Sequence, residues 1–278
     1  MKKVIISGIA ILENDVSNAN TELEINEEIF KKHINKKDFK ICTRATKIAL
    51  TTADMAIIDA GLIANIYYPP ERRSVYISSP NTTTKLDEMF SAFEYVSAND
   101  NDVQEKFMQK KFSQQNLSEY WQKGAKRIFP LWIVRGLSNV AIGLISIRYN
   151  FKGESCNWSD WGNDGRWALE EGVNSILEGR ADLSLVGAYD SYENWYHQLE
   201  LNHCRELSNY KMFEGGAFLV LEEYSKWKER IKDKIDVNFE NRRAISGLAD
   251  IKFNDCEEYK SVPGAAKFLL SYVKSIMR

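Results

Sequence analysis

Between residues 154 and 188 the chain carries two strand patterns around one helix pattern, and one side of that helix has almost no side chain. Gly162, Gly165, Ala168 and Gly172 recur three and four residues apart. A helix over 161–179 therefore sets them on one face, where they permit close helix–helix approach. A strand is predicted at 154–160 before the helix and another at 182–188 after it, and Gly216-Ala-Phe-Leu-Val-Leu-Glu222 is a third apolar run. Strands alternating with helices imply βαβ units and a largely parallel sheet, hence an α/β protein.

The alternation extends upstream. Val4, Ile5, Ile6 and Ile9 mark a buried strand over 3–9, whereas residues 16–40 are polar with few anchors and read as a surface excursion. From Arg44 to Gly61 the residues Ala45, Ile48, Ala49, Thr52, Met55, Ala56 and Ala60 keep helical spacing. Gly61 suits the position just past that helix. Ser74–Ser79 is a strand, Pro80-Asn-Thr-Thr-Thr a turn, and 84–96 a helix; 97–118 is polar and carries no assignment. Ser138 is predicted to cap a helix over 138–149 whose apolar stripe is Val140, Ala141, Leu144 and Ile145. After Glu222 the charged run 223–243 reads as a solvated face, followed by a short strand near 244–248 and a last helix over 263–277. No repeat, low-complexity tract or linker divides the chain, so residues 1–278 read as a single domain.

Composition narrows the function classes. A net charge of −2 gives no electrostatic reason for nucleic acid or an anionic membrane surface as partner. No stretch approaches the roughly 20 apolar residues needed to span a bilayer. The N-terminal apolar run is broken by Ser7 and Gly8 and closed by Glu13, Asn14 and Asp15, which fits an opening strand better than a signal peptide. Cys42, Cys156, Cys204 and Cys256 are scattered, with no metal-ligand spacing and no cofactor-binding pattern nearby, as in a reduced, cytoplasmic protein.

Four segments together resemble the β-ketoacyl-ACP synthases. Phe151-Lys-Gly-Glu-Ser-Cys-Asn-Trp-Ser-Asp-Trp-Gly162, followed by Gly179-Arg-Ala-Asp-Leu, resembles their nucleophile region. There a glycine-led strand ends in a cysteine that opens a helix, and the helix leads to a Gly-x-Ala-Asp strand. Arg44 with Asp59-Ala-Gly-Leu62, Ser138-Asn-Val-Ala-Ile-Gly-Leu-Ile-Ser146 and Glu214-Gly-Gly-Ala-Phe-Leu-Val-Leu-Glu222 follow the family pattern in order. The resemblance implies a thiolase-like fold in α-β-α-β-α layers. Its first half is complete in residues 1–222, and its second half is strongly reduced in 223–278. Pro263-Gly-Ala-Ala is similar to the helix that follows the family's second active-site histidine, whose place falls near Ser261.

Condensation in that family needs a cysteine thiolate favoured by a helix N-terminus and two further groups, His and His or His and Asn. Here the nucleophile position holds Gly162, and the three histidines, His33, His197 and His203, all precede the second half. The resemblance thus implies no catalytic residue. Cys156 is the candidate rescue nucleophile, but on a strand it lacks the helix dipole and reads as a small buried hydrophobe. His197 and His203 find no third metal ligand and read as surface or capping residues. Asp160 and Asp164 read as an N-cap and a first-turn acid of the helix. Glu170 and Glu171 read as solvated, and Gly153, Gly179 and Gly187 as turn and close-packing glycines. Trp158, Trp161 and Trp167 leave two readings open: core filling, or plugging the degenerate site and shaping a contact surface.

The resemblance implies a chain length factor, a non-catalytic subunit that pairs with a full-length β-ketoacyl-ACP synthase and, through the complex, meets an acyl carrier protein. The reduced size is similar to the short subunits of aryl polyene and related pathways. In such pairs the strand before the nucleophile pairs across a pseudo-twofold axis, here Ser155, Cys156, Asn157, Trp158, Ser159, Asp160 and Trp161. Leu131, Trp132 and Leu137 would shape the acyl tunnel. A half-size thiolase fold would also leave sheet faces and edges uncovered, which favours a partner. Two rivals are a free-standing acyltransferase using Cys156 and a non-enzymatic acyl-binding or scaffold protein.

Overall fold

The computed structural model describes residues 2–14, 25–62, 67–80, 87–101, 105, 114–128, 130–159, 164–191, 214–232, 244–246 and 266–277. In chain order these form β1 (Val4–Glu13), α1 (Glu27–His33), α2 (Lys36–Ile41), α3 (Arg44–Asp59), β2 (Arg73–Ser78), α4 (Asp87–Asn99), α5 (Gln114–Ala125), α6 (Trp132–Gly136), α7 (Val140–Tyr149), β3 (Ser155–Trp158), α8 (Asp164–Leu177), β4 (Leu183–Ser191), β5 (Glu214–Glu223), α9 (Tyr224–Ile231), β6 (Ala244–Ile245) and α10 (Lys267–Met277).

The described strands form one sheet in the order β3-β2-β4-β5-β1-β6. β2 runs parallel to β3 and β4, while β4–β5, β5–β1 and β1–β6 are antiparallel. The largely parallel sheet read from the sequence is therefore mixed. β4 and β5 are buried along their whole length, and a strand buried on both faces reads as a continuous apolar run whatever its direction.

Side-chain alternation on the strands feeds two separate cores. Leu185, Tyr189, Phe218 and Val220 face one side with Ile48, Ala49, Ala53 and Ala56 of α3 and Ala141 and Ile145 of α7. Val186, Leu219 and Leu221 face the other with Leu169, Val173 and Ile176 of α8 and Leu269, Leu270 and Val273 of α10. Of the five layers implied by the resemblance, the described residues build three, helix–sheet–helix. The expectation of uncovered sheet faces is thus corrected: both faces carry helices, and β6 and α10, from beyond residue 223, join this same sheet and its second face.

The helix α3 shows how local sequence sets these layers. Thr43 caps its start by accepting from the Thr46 amide at 3.3 Å. Gly61 adopts φ 69°, and the amides of Gly61 and Leu62 return to the carbonyls of Ile58 and Ile57, closing the last turn as predicted. Small residues on α3 let β1 approach closely: a Cβ on Gly8 would lie 2.2 Å from the Ala56 carbonyl oxygen.

Several readings change. Residues 25–41 are anchored rather than a loose excursion, because Ile25, Phe30 and Ile34 are buried against α3 within α1, α2 and their flanks. Asn26 and Asn35 cap the two short helices, which explains how so polar a segment folds. The charged run after Glu222 contains α9, whose Trp227 and Arg230 point inward. Ser138 does not cap α7; Asn139 occupies the cap position without a side-chain bond, and the Ser138 carbonyl instead accepts the Tyr189 hydroxyl at 3.2 Å. Gly172 meets the sheet rather than a helix, since a Cβ there would lie 2.2 Å from Val186 Cγ2. α5 lies partly within a segment that the sequence left unassigned.

Candidate functional site

In an open α/β sheet, the carboxyl ends of parallel strands are where a chain can present side chains into a crevice. Here those ends are Ser78 and Ser79 of β2, Trp158 and Ser159 of β3, and Ser191 of β4. Asn157 donates its side-chain amide to Ser79 Oγ at 2.9 Å and to Ser159 Oγ at 3.3 Å, and the two serine hydroxyls lie 3.1 Å apart. The network joins the last turn of β3 to β2. It contains hydroxyls and an amide, but no group that titrates near neutral pH, so it offers no general base.

β3 is the edge strand, and its main-chain groups divide by parity. The Val75 amide donates to the Glu154 carbonyl and the Ser79 amide to the Trp158 carbonyl. Residues 154 and 158 thus face β2, and the alternation turns the main-chain groups of Ser155 and Asn157 outward. Ser155 and Cys156 are exposed, while Asn157 and Trp158 are half-buried, Trp158 packing 6.1 Å from Tyr76. Burial foremost, together with the Glu171 carboxylate, pushes the Cys156 thiol above its ordinary range against one backbone hydrogen bond that lowers it. Cys156 is exposed rather than the buried hydrophobe read from the sequence, yet its surroundings disfavour the thiolate, as that reading required.

Leu131 and Leu137 flank α6 and are 42% and 48% exposed. Trp132 is half-buried with its indole N–H enclosed and unpaired. Val134, which the sequence reading passed over, is 50% exposed beside them, so this short helix presents apolar side chains outward. The Tyr189–Ser138 bond fixes the α6–α7 junction to β4. Its position and the β3 edge are the two expectations for a contact surface that the described residues cover. Asp160, Trp161, Gly162, His197, His203 and Ser261 lie outside the described residues, as does the side chain of Asp164. Trp167 is 44% exposed, and Trp158 is half-buried at the sheet edge, so of the two readings for these tryptophans neither residue is pure core.

The remaining histidine, His33, ends α1 and binds Asp54 of α3 at 2.8 Å, with Tyr149 donating to the same carboxylate. It belongs to a helix clasp away from the strand ends. Among the described residues no cluster of His, Cys, Asp or Glu has the make-up of a metal site, and no helix is long and apolar enough to cross a membrane.

Two ion-pair hubs were invisible as such in the sequence. Arg44 grips Glu214 with two bonds of 2.7 and 2.6 Å and also donates to the Ile25 carbonyl, while Glu214 accepts the Ile25 amide. Asp182 binds Arg72 and Lys226, and its main chain bridges Arg72 and Glu223. Both carboxylates stand in segments that the sequence matched by motif, and here they tie elements of the frame together.

Residues 11–225 match the family model for the β-ketoacyl synthase N-terminal domain. Among solved structures, the chain is similar to one of the AntDE:AntF complex, a type II polyketide synthase acyl-carrier protein with its ketosynthase bound to the hexaketide (TM-score 0.60, 17% identity, 83% of this chain and 65% of that one). It is also similar to a β-ketoacyl synthase from Burkholderia phymatum STM815 (0.52, 16%, 83% and 61%) and to the ishigamide ketosynthase/chain length factor (0.54, 13%, 82% and 60%). The chain thus spans less than two thirds of the length of each of these structures.

Proposed function

The chain belongs to the β-ketoacyl synthase family, and from that membership we propose that it is a non-catalytic subunit which pairs with a full-length β-ketoacyl-ACP synthase and shapes its acyl tunnel. The observation that carries the reading is the β3 edge. A sheet whose two faces are covered by helices still turns the main-chain groups of Ser155 and Asn157 outward. Glycine at 162 supports the non-catalytic part. The structural likeness to a ketosynthase/chain length factor assembly and to a carrier-protein complex supports the polyketide part of the reading; the aryl polyene kind rests on the reduced size alone. Scattered cysteines without pairing spacing support a cytoplasmic setting.

In this role β3 forms an antiparallel ladder with the partner's corresponding strand, and Leu131, Trp132 and Leu137 set the depth available to the growing chain. Steric bulk acts here, because an alkyl or polyene chain has no polar group for the wall to hold. Coexpression with a full-length β-ketoacyl-ACP synthase of the same organism, followed by native mass analysis, tests the subunit reading: a stable heterodimer is expected, and a chain that stays monomeric with it sinks the reading. In the reconstituted pair Trp132→Ala lengthens the product; unchanged product length removes the tunnel role from Trp132. An acyltransferase on Cys156 would instead accumulate a thioester there, contrary to the raised thiol pKa.

A further inference from the structure

The cleft between α4 and α5 is independent of the subunit reading. Phe93 of α4 packs between Tyr120 and Trp121 of α5, and its ring lies where a Cβ on Gly124 would stand, which brings the two helices together at that point. Beyond this contact the helices part around a cavity of about 460 Å³ lined by Tyr95, Val96, Asn99, Asp100, Lys123, Lys126 and Arg127. That volume suits a small organic ligand.

Its charge selects the ligand class. Lys123 pairs with Asp100, which cancels one positive and the one negative charge among the described lining residues. Lys126 and Arg127 remain, an excess of two positive charges on consecutive residues. Arg127 lies 3.6 Å over the Tyr95 ring, so the guanidinium is held in place by stacking rather than by a carboxylate, with its N–H edge left for an incoming acceptor. The Asn99 side-chain amide donates to the Tyr95 carbonyl at 2.9 Å, a bond within α4. Tyr95 and Val96 add an apolar wall.

We propose that this cleft binds a phosphate monoester, with the phosphate between Lys126 and Arg127 and the organic body along Tyr95 and Val96. A phosphate monoester carries about −1.5 to −2 at pH 7, matching the local excess, whereas a carboxylate offers half of it. Its three oxygens also suit one forked guanidinium and one ammonium together.

Titration calorimetry at low salt with phenyl phosphate and benzoate as probes tests the site. One saturable site is expected, with phenyl phosphate about tenfold tighter than benzoate, the scale of one added charge-assisted hydrogen bond. Lys126→Ala weakens phenyl phosphate by about the same factor, and Arg127→Lys narrows its lead over inorganic phosphate by removing the stacked surface. Lys126 is exposed, so Lys126→Ala should melt like the parent; should it not, Lys126→Gln carries the same comparison. Equal binding of phenyl phosphate and benzoate, or Lys126 variants with parental affinity, overturns the proposal. So does a cleft that ignores phosphates and responds only to an acidic protein surface.

Discussion

At the scale of single residues, two positions bear on the proposed lack of condensation chemistry. Gly162 cannot supply a thiol, and Cys156, the nearest alternative, sits where burial foremost, with Glu171, pushes the thiol pKa up. We expect Cys156 to react with iodoacetamide at pH 7.5 more slowly than free cysteine. Cys42, pushed by burial to about 12, should react only after unfolding. Peptide mapping by mass spectrometry reads both, and a Cys156 that alkylates faster than glutathione contradicts the assignment. Gly162→Cys should restore no condensation on the proposed reading, in which none of His33, His197 and His203 assists the reaction; turnover by that single variant would refute it. The glycine at 162 was legible in the sequence because it is a matter of identity. The environment of Cys156 was not, because exposure of a strand residue depends on whether its strand ends at an edge.

Among the elements, the contact of β1 with α3 was only partly legible. The helix was readable from its small-residue spacing and Gly61, but the reason for its small residues lies in Gly8, two hundred residues from the strand that pairs with it. Gly8→Ala forces a Cβ into the Ala56 carbonyl, a backbone atom that cannot swing away. Overpacking of this kind costs about 1–3 kcal/mol, and urea unfolding should show a loss in that range. A midpoint within error of the parent would mean the two elements separate without cost. Strand direction was the other illegible quantity: Val186 and Leu219 pair across β4 and β5, and nothing in either apolar run says which way its neighbour runs. The α1–α2 segment was missed for a related reason. Its anchors, Ile25, Phe30 and Ile34, are few, and asparagine caps rather than apolar density hold the turns.

For the molecule as a whole, two ion-pair hubs hold the same end of the sheet, where β2 and β4 begin. At the amino ends of β2 and β4, Asp182 ties three strands together through Arg72, Lys226 and its own main chain. Burial alone would raise its pKa, but the Arg72 and Lys226 hydrogen bonds outweigh that and hold it below the usual range. Because its folded value lies below the unfolded value of about 3.9, its contribution is complete above that pH and fades as pH falls through the folded value. Stability should therefore decline on acidification below about pH 4, and Asp182→Asn, at a cost of about 1–3 kcal/mol near neutrality, should flatten that decline. Identical acid slopes for parent and variant would remove Asp182 from the account. On the helix side, Arg230 holds the fully buried Glu222 with two bonds of 2.8 and 2.7 Å, and Tyr68 donates to the same carboxylate. Arg230→Leu should cost about 3–5 kcal/mol by leaving the buried carboxylate without its partner, read as a fall in melting temperature; a variant as stable as the parent would remove the pair from the account.

The outward parity of β3 bears on how the chain survives before it meets anything. An edge strand that turns main-chain groups outward templates any extended segment, so chains made in excess should stick to one another and sediment. Their yield would then follow the stoichiometry of synthesis rather than folding stability. Ser155→Pro removes an outward amide without touching the ladder to β2. It should keep the solitary chain in solution at concentrations where the parent precipitates. The feature that makes this protein useful in company would be what makes it perishable alone.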